Sequence, residues 1–336
     1  MLQFIYVQSL HLQWSPDDAR RDVFLLYDDY FLWLAADDQI LSETSIFPNQ
    51  ENTALPHDHI MFNIHIPTEG KYYLQTMQGH YLIETGSMLI VPPHIYHVAK
   101  RIDNDTSPIR RSCFNLEVRR INSHLPDLSP VSSSASTVFS IYTRLKQPTA
   151  IKDDFSGLDA VRQLSRVMQE GQVGYYQKAQ AILLFLVTEI AVRLHRQLDK
   201  FPDSEPSTEF DLPNHANVLS LLRKERIERC VTRYTLSVIT LEQIAKDLFV
   251  SPRQLSRIFT ELYGKNYTEF IIEKRMEFAK FALVCSNEDF DTIAQHCGYR
   301  HTSSWFRAFK KATGYTPKEY REKFSEGTDL FQNSDT

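Results

Sequence analysis

Two groups of side chains in this 336-residue sequence are of types and spacings that do chemistry. The first lies near the C-terminus: Arg253, Gln254, Ser256 and Arg257, then His301, Thr302, Ser303, Phe306 and Arg307. Arg bonds guanine bidentately, Gln pairs with adenine, and Ser or Thr reaches bases or phosphates. The second is a gathering of imidazoles: His57, His59, His65, His80, His94 and His97. On a strand, His57-x-His59 turns both rings to one face, because successive side chains alternate. Such rings hold a metal, line an effector pocket or serve structure alone, and the sequence leaves all three readings open. No nucleophile elbow, phosphate loop or paired carboxylates are found, so neither an enzyme nor a cofactor is read from these residues.

The C-terminal group must be positioned by helices, and an internal repeat defines them. Ile244-Ala245 recurs as Ile293-Ala294, Arg257-Ile258-Phe259 as Arg307-Ala308-Phe309, Gly264 as Gly314, and Glu269-Phe270 as Glu319-Tyr320. A unit used twice fits this better than a solenoid, which needs more copies. Each copy reads as helix, turn, helix. Thr240-x-x-Gln243 is a capping-box start, with Leu241, Ile244, Ala245 and Leu248 on one apolar face. The turn is Phe249-Val250. Ser251 then caps a second helix with Pro252 at its first position, its apolar face Leu255, Ile258, Phe259 and Leu262, and Gly264 as its stop. The second copy places Trp305, Ala308, Phe309 and Ala312 inward, ends at Gly314, and is followed by a short helix capped by Thr316-Pro317-x-Glu319. With those faces buried, the chemistry-bearing residues look outward. Tyr267 to Cys285 reads as one unbroken helix, roughly 28 Å long at ~1.5 Å per residue. A spacer of that length holds two recognition helices about one DNA turn apart.

Residues 240–323 closely resemble the DNA-binding domain of AraC/XylS-type transcription regulators. The resemblance rests on Ser251-Pro252-Arg253-Gln254-Leu255-Ser256-Arg257-Ile258-Phe259, on Gly298-Tyr299, and on Trp305-Phe306-Arg307-Ala308-Phe309-Lys310 to Gly314-Tyr315-Thr316-Pro317-Lys318-Glu319-Tyr320-Arg321. It implies base reading by Arg253, Ser256 and Arg257 in the first unit, and by His301, Thr302, Ser303, Phe306 and Arg307 in the second. Tyr299 stands where the family usually has Phe. Phe306 is bulky for a reading face, suited either to a thymine methyl or to packing against a neighbouring domain. Upstream, Gly86-Ser-Met-Leu-Ile-Val-Pro92-Pro93-His94-Ile-Tyr-His97 together with His57-x-His59 resembles the two motifs of cupin barrels, which form the sensory half of many such regulators. The resemblance implies His57, His59 and His97 as candidate metal ligands. Asn63 replaces the expected Glu and His94 the usual Gly, which removes the carboxylate that favours hard cations. Without metal, the same His57, His59 and His97, with Tyr72, Tyr81 and Trp33, form the expected effector-binding set. Aromatic faces including Tyr73, Tyr96 and Trp14 also suit a sugar ring.

The fold class is therefore multidomain: an N-terminal mainly-β cupin-like barrel plus helices, and a C-terminal all-α double helix-turn-helix. The boundaries read as 1–125 for the barrel, 126–200 for a helical segment, 201–216 for a linker, 217–326 for the DNA-binding domain and 327–336 for a disordered tail. Turn signals at Pro48-Asn49, Glu69-Gly70 and Thr85-Gly86-Ser87 punctuate the strands, and the Ser/Pro stretch from Ser129 to Ser134 reads as a loop. Tyr175–Leu198 reads as a helix too apolar for one face; intradomain packing and dimerisation both account for it. The net charge of −5 divides unevenly. Leu222–Phe324 holds 19 of the 37 Lys and Arg but 13 of the 42 Asp and Glu, so it carries +6 and the remainder −11. Cys113, Cys230, Cys285 and Cys297 form no C-x-x-C pair, no stretch reaches the ~20 apolar residues that span a bilayer, and Met1–Leu10 lacks a secretory signal. The expectation is a cytoplasmic regulator, an activator working with RNA polymerase, homodimeric, binding promoter or operator duplex DNA and a small-molecule effector such as a carbohydrate, and not associated with membrane. The alternatives are a cupin-type metal protein or enzyme with an accessory helical domain, and a constitutive DNA binder with a degenerate pocket.

Overall fold

The computed structural model describes residues 22–27, 30–35, 44–45, 56–102, 105, 107–120, 132–198, 227, 240–248 and 250–325. The expected linker at 201–216, the tail at 327–336, the turn at Pro48-Asn49, and Trp14, Cys230 and Phe249 lie outside the described residues.

The N-terminal domain is two antiparallel sheets. Strands β1 (Val23–Tyr27), β2 (Tyr30–Ala35), β3 (Thr44–Ser45), β4 (Phe62–Glu69), β5 (Lys71–Thr76), β6 (Gly79–Glu84), β7 (Ser87–Val91), β8 (His97–Lys100) and β9 (Arg110–Arg120) follow in chain order. The larger sheet runs β1-β2-β9-β4-β7 and the smaller β6-β5-β8. Alternation gives the larger sheet two different faces. Ile64, Ile66, Phe114 and Leu116 face the helices, whereas Asn63, His65, Cys113 and Asn115, register partners across β4 and β9, face the other way, between the sheets. An apolar cluster that includes Tyr72, Leu74, Leu89 and Val91 joins the sheets there.

Helix α1 (Ser132–Arg144) begins inside the Ser-rich stretch that the sequence suggested was loop. Burial of Phe139, Ile141 and Tyr142 carries that helix, so tertiary packing overrides the weak helix preference of three consecutive serines. The interval expected to be helical also contains a strand, β10 (Thr149–Lys152), which pairs with β7 at the sheet edge. Helices α2 (Gly157–Glu170) and α3 (Tyr175–Leu198) complete the domain. Ile151, Leu164, Leu183, Leu186 and Leu194 share one core with the sheet. Ala179, Leu183, Val187 and Ala191 of α3 are fully covered within the chain, and Phe185 is its large exposed apolar residue, its ring tilted against Phe155.

The C-terminal domain contains α4 (Leu241–Asp247), α5 (Pro252–Tyr263), α6 (Tyr267–Cys285), α7 (Phe290–His296), α8 (Thr302–Thr313) and α9 (Pro317–Ser325). Capping boxes open α4 at Thr240, α5 at Ser251 and α6 at Asn266, each with the residue three positions on completing the box. Gly264 and Gly314 close α5 and α8 in the left-handed conformation that a side chain disfavours. The repeat extends to the turns: Val250 N–H donates to Ala245 C=O and Tyr299 N–H to Ala294 C=O, both at 2.9 Å. Helix α6 supplies Phe270 and Ile271 to the core of the first unit and Met276, Ala279 and Leu283 to that of the second. No helix among the described residues is long and apolar enough to cross a membrane.

One turn is unusually intolerant. Gly70, between β4 and β5, has φ +76, and a Cβ there would stand 2.6 Å from the Pro108 carbonyl oxygen. Gly70→Ala is expected to cost at least ~1–3 kcal/mol, read as a lower midpoint in urea with an unchanged slope.

Candidate DNA interface and sensor cavity

Helix α5 exposes Arg253, Ser256 and Arg257, while Leu255 and Phe259 anchor it. Arg257 makes only an exposed contact with Glu261, at 3.4 Å. Gln254 is exposed too, but its side-chain oxygen accepts from the Ser251 N–H at 2.9 Å and from the Ser251 hydroxyl. Bidentate adenine recognition needs that oxygen and the amide N–H together, so the cap takes Gln254 off the reading face in this geometry.

In the second unit His301, Ser303 and Arg307 are exposed. Thr302 is half-buried, its hydroxyl donating to the Asp291 carboxylate. Phe306 packs inward, edge-on to Phe290 at 5.6 Å and to Trp305 at 5.5 Å. Its bulk therefore belongs to its own unit rather than to a neighbouring domain. Ala312, expected inward, is exposed, and Trp305 and Phe309 suffice to bury the helix. Arg321 is structural: its guanidinium donates to the Leu283 and Glu288 carbonyls and lies 4.6 Å from the Phe290 ring centre.

In the N-terminal domain the structure brings His57, His59 and His97 together. Each offers one ring nitrogen within 4.8 Å of the others. Their backbones are tied as well: His57 and His97 exchange both N–H···O bonds, at 3.0 and 2.9 Å, and His94 N–H donates to His59 C=O at 2.7 Å. His94 sits at φ 62, adopting the left-handed turn that glycine supplies in the motif it departs from. Residues outside the expected effector-binding set line the same interior. His65 Nδ1 accepts from Arg111 at 2.6 Å, so its proton is on Nε2, which is buried without a partner. Asn63 donates to Asn115 at 2.8 Å, and its own carbonyl oxygen is unpaired. Their strand positions signal this, since inward alternation on β4 and β9 places polar side chains where apolar ones are the rule.

The expected aromatics divide. Tyr72 is fully buried beside His65, its hydroxyl 3.1 Å from Nδ1, and burial pushes its pKa up to about 12. Tyr81 is half-buried against the inter-sheet cluster. Trp33 lies on β2, beyond β9 from β4, with its ring stacked on Phe24 at 5.4 Å and its buried N–H unpaired. Five inward polar atoms thus lack partners: Trp33 Nε1, His59 Nε2, Asn63 Oδ1, His65 Nε2 and His97 Nε2. Unpaired buried groups cost free energy, and an interior holding several invites a polar occupant.

With this geometry described, comparison with known proteins is informative. Residues 45–174 match the AraC-like ligand binding domain and residues 244–323 a helix-turn-helix domain, in that order along the chain. The chain belongs to the AraC family. Among its relatives, an uncharacterised HTH-type transcriptional regulator of Bacillus subtilis, YtdP, is 33% identical over 26% of this chain and 11% of its own length. The xylose operon regulatory protein of Escherichia coli is 32% identical over 26% of this chain and 22% of its own length. Among solved structures, the C-terminal domain of the response regulator yesN from Fusobacterium nucleatum is 30% identical, with 30% of this chain and 98% of that one covered and a TM-score of 0.29. The alignments with the first of these curated relatives span between 11% and 50% of the relatives' lengths.

Protonation is the weak point of this buried imidazole cluster. Burial, followed by the nearby His57, lowers the His97 pKa to about 3, and burial likewise holds His59 and His65 well below the ordinary imidazole range. The unfolded chain takes up protons near pH 6.5 that the folded state refuses, so stability falls as pH drops below that value. Each such imidazole costs about 1.4 kcal/mol per pH unit until its folded pKa is reached. Chelator-treated protein is expected to melt at markedly lower temperature at pH 5 than at pH 7. A flat profile over that interval would contradict the assigned neutral cluster.

Proposed function

We propose that this chain is a sequence-specific transcription regulator whose α5 and α8 enter successive major grooves of an operator, under control of a small molecule bound between the sheets. The observation that carries the reading is the pair of helix-turn-helix units with matched turns and glycine stops, each presenting Arg, Ser or His from an exposed helix face. Arg253, Ser256 and Arg257 are the readers in the first unit. His301, Ser303 and Arg307 are those in the second, with Thr302 at the edge. The local excess of positive charge serves the phosphates.

The inward unpaired groups support a polar effector. The regulator of a xylose operon among the relatives, and the hydroxyl-rich chemistry those groups would satisfy, favour a carbohydrate. His57, His59, His97, Tyr72 and Tyr81 are its proposed contacts; Trp33 is a more distant one. Phe185 on α3 is the proposed seat of homodimerisation, in a cytoplasmic activator that contacts RNA polymerase and does no catalysis. The unit boundaries proposed are a sensory domain running to about residue 200, a linker at 201–216 and a reading domain at 217–326.

An operator selected by the full chain from random duplexes tests the DNA assignment. Arg257→Ala and Arg307→Ala are each expected to weaken binding by ~1–3 kcal/mol and to relax preference at one base position. Unchanged affinity in both variants would remove α5 and α8 from the groove. Monosaccharides raising the melting temperature of the full chain would support the effector class, since a ligand at ~100 times its dissociation constant adds ~2.7 kcal/mol.

A further inference from the structure

Where the sensory domain meets α6, the two enclose a cleft that lies outside the sheets. Sensory residues Asp58, His94 and Tyr96 form one wall, and Lys274, Glu277 and Lys280 of α6 form the other. Its volume of about 290 Å³ falls at the lower end of the ~300–1,000 Å³ that ligand pockets span, and domain junctions are where such pockets concentrate. His94, 59% exposed, stands at the rim. Phe281, only 1% exposed, supplies an apolar floor, with the Tyr96 ring tilted against it at 5.4 Å.

The charges in the cleft are not all matched. Lys274 donates to the Asp58 carboxylate at 2.8 Å, and the two are only 13% and 12% exposed, so that pair satisfies itself. Glu277 has only Lys274 beside it, at 3.5 Å, and that ammonium is already bonded to Asp58. Lys280 pairs with no carboxylate among the described residues, although it lines the same space. Glu277 and Lys280 stand at i and i+3, neighbours on one helix face, and form no ion pair with each other. The Tyr96 hydroxyl also makes no hydrogen bond among the described residues. Burial, with the Asp58 and Glu277 carboxylates nearby, pushes its pKa well above the ordinary phenol range, so it stays a neutral donor.

One unmatched cation and one unmatched anion, a helical turn apart above an aromatic floor, define the ligand that fits. A simple anion would meet Lys280 but face the Glu277 carboxylate. A simple amine would meet Glu277 but face the Lys280 ammonium. A neutral sugar satisfies neither charge and gains little from Phe281, and a long lipid chain exceeds the volume. A small zwitterion with an apolar body answers all three features together.

We propose that this cleft is a second small-molecule site, separate from the one between the sheets, and that it takes a free α-amino acid with an apolar or aromatic side chain. Lys280 receives the carboxylate, Glu277 receives the ammonium, and Phe281 with the Tyr96 ring receives the side chain. The Tyr96 hydroxyl adds a neutral donor. Because the walls belong to two domains, the occupant bonds to both and stabilises their contact. The site depends on neither the operator reading nor the carbohydrate reading above, and stands if either fails.

Calorimetric titration of the full chain with leucine and phenylalanine, and with the N-acetyl and amide derivatives of each, tests the assignment. One of the free amino acids is expected to bind once per chain and to raise the melting temperature. N-acetylation removes the ammonium and amidation the carboxylate, and each should weaken binding at least ~10-fold, as loss of a hydrogen bond between charged groups does. Lys280→Met should bind the free acid no better than its amide, and Glu277→Gln the free amine no better than its N-acetyl form. Both positions are half-exposed, so both variants should melt near wild type without ligand. No saturable binding of either amino acid, or equal binding of the derivatives, overturns the ligand class. Wild-type affinity in both variants puts the molecule elsewhere and overturns the site.

Discussion

Helix α6 gives water only a narrow charged edge along its second half. Met276, Phe278, Ala279 and every residue from Phe281 to Cys285 are buried, Glu277 and Lys280 are half-exposed, and so broad an apolar surface must be covered on more than one side. Three bodies cover it. The first helix-turn-helix unit takes its N-terminal end, the second takes Ala279 and Leu283, and the sensory sheet takes Phe281, Val284 and Cys285. The arrangement of the two reading helices, and their relation to the sensor, both follow from how this one helix is wrapped. Burial pushes the Cys285 thiol up to about 12, in keeping with a packing role for that side chain.

The sensory domain solves a different problem. A strand residue that faces a cavity has neighbours that face away from it, so any segment lining a site necessarily has a reverse side. Here the reverse side is an interface. Asp58 and Val98 occupy positions that a free-standing barrel would leave to solvent, and one of them is a buried carboxylate matched to a buried ammonium. Removing either partner of such a pair strands a charge, which makes it a strong constraint on relative placement even where its net stabilisation is small.

Much of this was legible in the sequence. The repeat, the Thr240 and Ser251 caps and the unbroken span from Tyr267 to Cys285 follow from spacing, the convergence of His57, His59 and His97 from the cupin resemblance, and the geometry agrees. Four features resisted such reading for physical reasons. Gln254 has the right chemistry for adenine, but its own cap competes for the same oxygen. Phe306 lies at an outward position by period, yet Phe290 on the preceding helix reaches it. Strand β10 sits between helices, and only its pairing with β7, sixty residues away, makes Thr149–Lys152 a strand. Nor does anything local to Asp58 announce Lys274, 216 residues further along the chain.

The central claim is that the sensory domain's imidazole cluster and the reading domain are joined across Asp58 and Lys274. A double-mutant cycle on the full chain, with Asp58→Asn, Lys274→Met and the pair, measures it most directly. The account predicts a coupling energy within the ~0.5–3 kcal/mol range of contacting residues, with the double variant more stable than the sum of the single losses implies. Strictly additive losses would mean that the two side chains do not sense one another, and that the sensor reaches the reader by another route.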